Sequence, residues 1–177
     1  GDLSGGTLVA DTLLSSTETG LASHTAPIGP VTLNAGSNYL VRAYWSESAV
    51  QNYYFLYDPV EFGSPPFSVG DVTVIDGTQN LWTTNWVMPE FSLCTSENTC
   101  DGDPLAPPGV TLDPMGGGND AWDDGRGVVF TVDNTMTLGY VGVTIDLFTD
   151  TQVYYEVLEV ANPSGDLSGG ILVADTL

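Results

Sequence analysis

The first thirteen residues, GDLSGGTLVADTL, return at positions 165–177 as GDLSGGILVADTL, with Thr7 against Ile171 as the one difference. Positions 1 and 165 are 164 residues apart. Self-similarity at such a spacing marks a whole-domain period rather than a solenoid rung. A duplicated terminal tag is the plainer alternative, but the segment has the composition of a strand and follows smoothly from what precedes it. Residues 1–177 are therefore expected to be one period of a tandem-repeat β protein plus the first strand of the next, in an arbitrary frame. On this expectation the chain is a mature fragment or a piece of something longer, whose parent polypeptide carries further copies at the same spacing. The junction between periods falls on Asp2, Leu3, Leu8, Val9 and Leu13 in the first copy. In the second it falls on Asp166, Leu167, Leu172, Val173 and Leu177.

Helix signals are almost absent, because no long stretch keeps apolar residues at i, i+3, i+4 and i+7 without a Gly, Pro or Thr interruption. β-branched and aromatic runs bounded by Gly, Pro, Asn and Asp occur throughout. They predict strands at 7–13, 29–33, 39–45, 53–57, 72–75, 85–87, 91–93, 127–132, 139–147, 152–160 and 171–177. The run Asn34-Ala-Gly-Ser-Asn predicts a turn, with Gly36 free to take positive φ. Many short strands separated by turn signals predict an all-β fold: an antiparallel β-sandwich or jelly-roll-like repeat module with little or no helix. Residues 1–93 hold the main strands, and 94–126 form an acidic loop or connector rich in proline and glycine and containing both cysteines. Residues 127–177 are strands leading into the next repeat.

Read across the junction, the order is Gly127-Val-Val-Phe-Thr-Val-Asp, Met136-Thr-Leu-Gly-Tyr-Val-Gly-Val, then Val153-Tyr-Tyr-Glu-Val-Leu-Glu-Val and the repeat segment. The first copy of that segment continues into Pro30-Val-Thr-Leu-Asn-Ala-Gly-Ser-Asn-Tyr-Leu-Val-Arg-Ala. This resembles lectin-like β-sandwich modules of secreted and surface-anchored bacterial proteins. In those, a glycine-bounded edge strand precedes a pair of strands joined by an Ala-Gly turn. The likeness spans 127–177 and 8–57 and consists of scaffold signatures. It implies an extracellular, modular, non-catalytic role and brings no functional residues with it.

Charge narrows the function classes. The chain has 23 Asp and Glu, two Arg (Arg42 and Arg126) and no Lys, for a formal net charge of -21. Nucleic acid and anionic membranes both require cationic contacts, so neither is an expected partner. Without lysine there is no Schiff-base chemistry and no phosphate-binding loop of the Walker type. Apolar runs stop well short of the ~20 residues that span a bilayer. Cys94 and Cys100, with five residues between them, predict a small disulfide-closed loop in preference to two free thiols, and hence an oxidising compartment: outside the cell, on its surface, or periplasmic.

Four chemistries compete for the remaining polar and aromatic residues. Gly-Asp-Leu-Ser-Gly-Gly superficially resembles a serine-protease signature, but Leu3 displaces the serine. The one histidine, His24, is expected in a loop, so a nucleophilic triad is rejected. A paired-carboxylate hydrolase is unspecific in a chain with 23 acids. Calcium fits better, since it takes several carboxylate and carbonyl oxygens on turn-forming sequence. The candidate ligands are Asp101, Asp103, Asn119, Asp120, Asp123 and Asp124; a solvated acidic loop without an ion is the equal alternative. No EF-hand is present, because the position needing a terminal Glu is Leu112. Trp82 and Trp86 are the candidates for a flat glycan platform, with core packing favoured for the Tyr53–Tyr57 run. The expectation that follows is a non-enzymatic structural unit of an extracellular filament, stalk or surface protein. It assembles with copies of itself through strand or edge contacts, and a carbohydrate-binding adhesin module is the alternative.

Overall fold

The computed structural model describes residues 13–16, 20–45, 50–55, 65–79, 82–84, 90–95, 105, 113–114, 126–147, 149, 151–164 and 171–175. Among them every regular element is a strand. The first six are β1 (Leu13–Ser16), β2 (Gly20–Leu33), β3 (Asn38–Trp45), β4 (Val50–Phe55), β5 (Phe67–Val69) and β6 (Val72–Gln79). After them come β7 (Trp82–Thr84), β8 (Phe91–Cys94), β9 (Asp113–Pro114), β10 (Arg126–Val132), β11 (Met136–Leu147), β12 (Thr151–Glu159) and β13 (Ile171–Asp175).

These strands build two antiparallel sheets. The larger has four central strands in the order β12-β3-β10-β6, and each outer edge is covered by two short strands. β1 and β13 lie on β12, and β5 and β7 lie on β6. The smaller sheet is centred on β11, with β2 along one edge and β8 and β4 along the other; β9 continues from β4. The two sheets close over one apolar core, an all-β sandwich-like arrangement. Side chains alternate across a strand, so Tyr39, Val41 and Ala43 of β3 enter the core together with Val153, Tyr155 and Val157 of β12. From the facing sheet come Ala26, Ile28 and Leu33 of β2, Phe91 of β8, and Val141, Val143 and Ile145 of β11. Tyr39 and Phe130, directly opposite on β3 and β10, hold their ring centroids 5.8 Å apart.

The chain passes repeatedly from one sheet to the other. Between β2 and β3 the predicted turn is an arch joining the sheets, with Gly36 at φ +76° and its amide donating to the Val132 carbonyl at 2.8 Å. The Asn34 amide donates to the Tyr39 hydroxyl at 2.7 Å, tying the arch to the core.

The opposite face of the larger sheet is also buried around β3 and β12. Leu40, Val129, Leu158 and Val160 form a second apolar cluster, with Ile75 against it. Ile75, next to the core-facing Val74, falls on this face by alternation, at a bulge where Asp76 pairs with Val129 and Val74 with Phe130. Beside this cluster Arg42 and Glu156 stand directly opposite one another. The guanidinium donates to both carboxylate oxygens, at 2.8 and 2.9 Å. Arg42 also lies 5.5 Å from the centre of the Tyr44 ring, which stacks on Tyr154. Gly127 is the neighbour of Arg42 on β10. A Cβ there would sit 2.5 Å from the Val41 carbonyl oxygen and 2.7 Å from the Leu40 side chain, so no larger residue fits.

The structure corrects three expectations. His24 is not in a loop: it lies within β2, is 4% exposed, and pairs with Val143. Arg126 belongs to β10 and is buried, so the connector ends one residue earlier than expected. Leu105 and Asp113–Pro114 also break that connector, since Leu105 is buried in the core and its amide donates to the Phe91 carbonyl at 2.7 Å. The expected strand 85–87 lies outside the described residues.

Breaking a buried, hydrogen-bonded ion pair from one side strands the other charge, at a cost of about 3–5 kcal/mol. Arg42→Ala is expected to destabilise the fold by about that amount in denaturant unfolding. Arg42→Met combined with Glu156→Leu is expected to recover most of the loss. A cost below about 1 kcal/mol for Arg42→Ala, the range of an exposed pair, would show that Glu156 is solvated.

Candidate functional site

The outer edge of β12 holds β13, from the second copy of the repeat, and β1, which opens on Leu13, the last residue of the first. Along its inner edge β12 pairs with β3 from Val153 to Glu159. Along its outer edge, residues 151–154 pair with β1 and residues 156–159 with β13. Leu13 stands opposite Tyr154, and Asp175 opposite Glu156. In the first copy the counterpart of Asp175 is Asp11, and Leu13 comes two residues after it. Tyr154 is likewise two positions along β12 from Glu156. β1 and β13 therefore lie on one edge in a common register. Extending the β13 ladder by two residues brings it to the position that Leu13 fills.

Local chemistry explains why β12 can serve as this platform. Its residues alternate between the two buried faces, with Val153, Tyr155 and Val157 inward and Glu156 and Leu158 outward, so its register is fixed from both sides. Tyr155 lies at the joint between the two short strands, and its hydroxyl donates to the His24 carbonyl on the opposite sheet. Burial pushes that hydroxyl well above the ordinary tyrosine range, against the lowering effect of the backbone at Val143. Past the end of β12, the Val160 amide donates to the Asn38 carbonyl at 2.9 Å. The Asn162 side-chain oxygen then accepts from the amide and hydroxyl of Ser164, both at 3.3 Å, in a turn that leads back toward β13. What such an edge offers chemically is a row of backbone donors and acceptors, the means by which a sheet binds a further strand.

Of the junction residues, Leu13 lies in β1, and Leu172 and Val173 in β13. Asp2, Leu3, Leu8, Val9, Asp166, Leu167 and Leu177 lie outside the described residues. So do Asp101, Asp103, Asn119, Asp120, Asp123 and Asp124. Among the described residues no three His, Cys, Asp or Glu side chains gather to hold a metal ion. Cys94 ends β8, is 2% exposed and is not a free thiol; Cys100 lies outside the described residues. Trp82 opens β7 at the far edge of the larger sheet, whereas Trp86 is outside them. Asp76, at the bulge in β6, is raised by burial, with the Gly77 amide it accepts from acting the other way.

Two features of the site escaped the sequence reading. One is the Arg42–Glu156 pair: the signal available was Arg42 falling on the strand face opposite to Tyr39, Val41 and Ala43. The other is the burial of every basic side chain, since Arg42, Arg126 and His24 are all at most 9% exposed. No basic side chain is left to balance the acids at the surface.

Comparison of the chain with protein-family models, with curated proteins and with solved structures returned no match.

Proposed function

We propose that this chain is a structural repeat unit of an extracellular filament, stalk or surface protein, its units joined head to tail at the outer edge of β12. The observation that carries this is the register of β1 and β13 along one edge: Asp175 lies opposite Glu156 and Leu13 opposite Tyr154, the spacing that Asp11 and Leu13 have within one copy of the repeat. A tandem chain supplies such a segment once per unit, at each boundary. In this setting Cys94 and Cys100 form a disulfide that pins the turn after β8, as an oxidising compartment allows. The lectin-like likeness of the scaffold is in keeping with a secreted or surface location.

Calcium belongs to the same proposal. A chain carrying -21 without exposed basic side chains is strongly self-repelling, and divalent cations at the 101–103 and 119–124 acids would relieve this. A ligand held only by the native state raises its stability. Chelator is therefore expected to lower the melting temperature, and a melting temperature unmoved by chelator and by added calcium removes the ion.

The array is tested with a two-period chain in which Leu177 runs on into Leu14 of a second copy. The expected result is an elongated particle by small-angle scattering, with one cooperative transition above the melting temperature of a single period. Two units that tumble independently and melt at the single-period temperature would refute the junction. Glycan binding that Trp82→Ala or Trp86→Ala abolishes, in such a chain without a joint transition, would replace it with the carbohydrate-binding reading.

A further inference from the structure

The edge of β12 offers one ladder of nine positions, 151–159, and this chain contains two segments that fit it. The second copy fills the 156–159 half through β13, and the last residue of the first copy opens β1 on the 151–154 half. Continued backward from Leu13, with the same irregularity that β13 shows between Val157 and Leu158, the first copy would meet the positions that β13 now holds. Side chains hardly distinguish the two contenders, which differ only at Thr7 and Ile171; Ile171 sits opposite Glu159 at the end of the ladder. One β-branched residue for another at such a position discriminates weakly.

Both contenders are tethered beside the slot. β1 is separated from β2 by residues 17–19, and β2 is the long edge strand of the facing sheet. β13 is separated from β12 by residues 160–170. Short tethers hold both segments at high effective concentration, so neither is excluded by the entropy of closing a long loop.

We infer that the outer edge of β12 is a single strand slot with interchangeable occupants. In a tandem chain its occupant is the copy that opens the following unit. That copy enters as β13 does, opposite Glu159, keeps the irregularity at Val157 and Leu158, and runs on to Thr151, displacing β1 from the 151–154 half. It then leads directly into β2 of the next unit, so each boundary is one strand that completes the sheet behind it and begins the unit ahead. This builds on the tandem array proposed above, and it specifies the partner of the slot as the N-terminal segment of a second copy.

The test uses the full 177-residue chain. Leu172→Pro with Val173→Pro blocks the second copy; two adjacent prolines are needed because successive backbone N–H groups of a strand point to opposite edges. The readout is hydrogen exchange of the slot-facing amides within 156–159 of β12. If occupants interchange, the first copy moves in, and protection stays within about tenfold of the unmodified chain. Adding Leu8→Pro and Val9→Pro then removes it, by roughly a hundredfold or more, and the two pairs of substitutions are strongly non-additive in melting temperature. Loss of protection from the second-copy prolines alone, or plain additivity, would overturn the inference. Should the fourfold variant not fold, the second-copy prolines decide by themselves. Retained protection in a chain whose parent polypeptide holds no further copies would leave the slot standing and remove the array, so the two failures are separable.

Discussion

The pairing of β3 with β12 sets the geometry on which the rest depends. Arg42 faces Glu156 across that pair, with Leu40 opposite Leu158 on one side and Tyr44 opposite Tyr154 on the other. Because side chains alternate with a period of two, a slip of one residue would drive Arg42 into the apolar core and turn Val41 out of it. A buried ion pair adds little net stability over an apolar pair of the same shape. Here it penalises the wrong register severely, because a misplaced guanidinium or carboxylate would be buried without its partner. The register on the inner edge of β12 fixes which residues stand where on its outer edge, and so decides where an incoming strand must begin and end.

Much of this was legible in the sequence where periodicity is strong. The alternation at 39–45 and the apolar run at 127–132 became β3 and β10 with a residue or less of error, and Gly36 took the positive φ its turn required. The turn signals predict 29–33 for β2, whereas the strand runs Gly20–Leu33. Its first half, Gly-Leu-Ala-Ser-His-Thr-Ala-Pro, has weak strand propensity and a proline, and only pairing with the twelve-residue β11 makes it extended. That override buries His24, which local sequence assigned to a loop. β5, β7 and β9 are two or three residues long, too short for any period to register. At the site, identity of sequence flagged both copies of the repeat. It could not tell that Leu13 and β13 lie on one strand, because pairing partner and register are tertiary facts.

Charge and junction chemistry fit one another. With Arg42, Arg126 and His24 all buried, exposed acids have no basic side chains beside them. Units this acidic packed face to face would repel, and screening at physiological salt acts over roughly 8 Å. A strand ladder works at shorter range than that repulsion. In the proposed array it would join neighbours through backbone hydrogen bonds that carry no net charge, across a narrow edge rather than a broad acidic face. The same repulsion discourages unspecific association of exposed edges, so a highly acidic surface and a strand-sharing junction support each other.

The two outer edges of the larger sheet are each split between two short strands, yet they are not equivalent. On the β6 side, β5 returns through a tight turn at Gly70 and Asp71, and β7 follows β6 after residues 80–81. Both are hairpin neighbours, closed by so few residues that they have no competitor for their places. On the β12 side, β13 returns after residues 160–170, while β1 comes from the other end of the chain by way of β2. Two segments of four and five residues make fewer ladder bonds each than one continuous strand over the same edge. Because their registers already agree, joining them into one strand needs no change in β12. The edge that the repeat visits is thus the one where exchange of a strand for its equivalent is both geometrically free and entropically inexpensive.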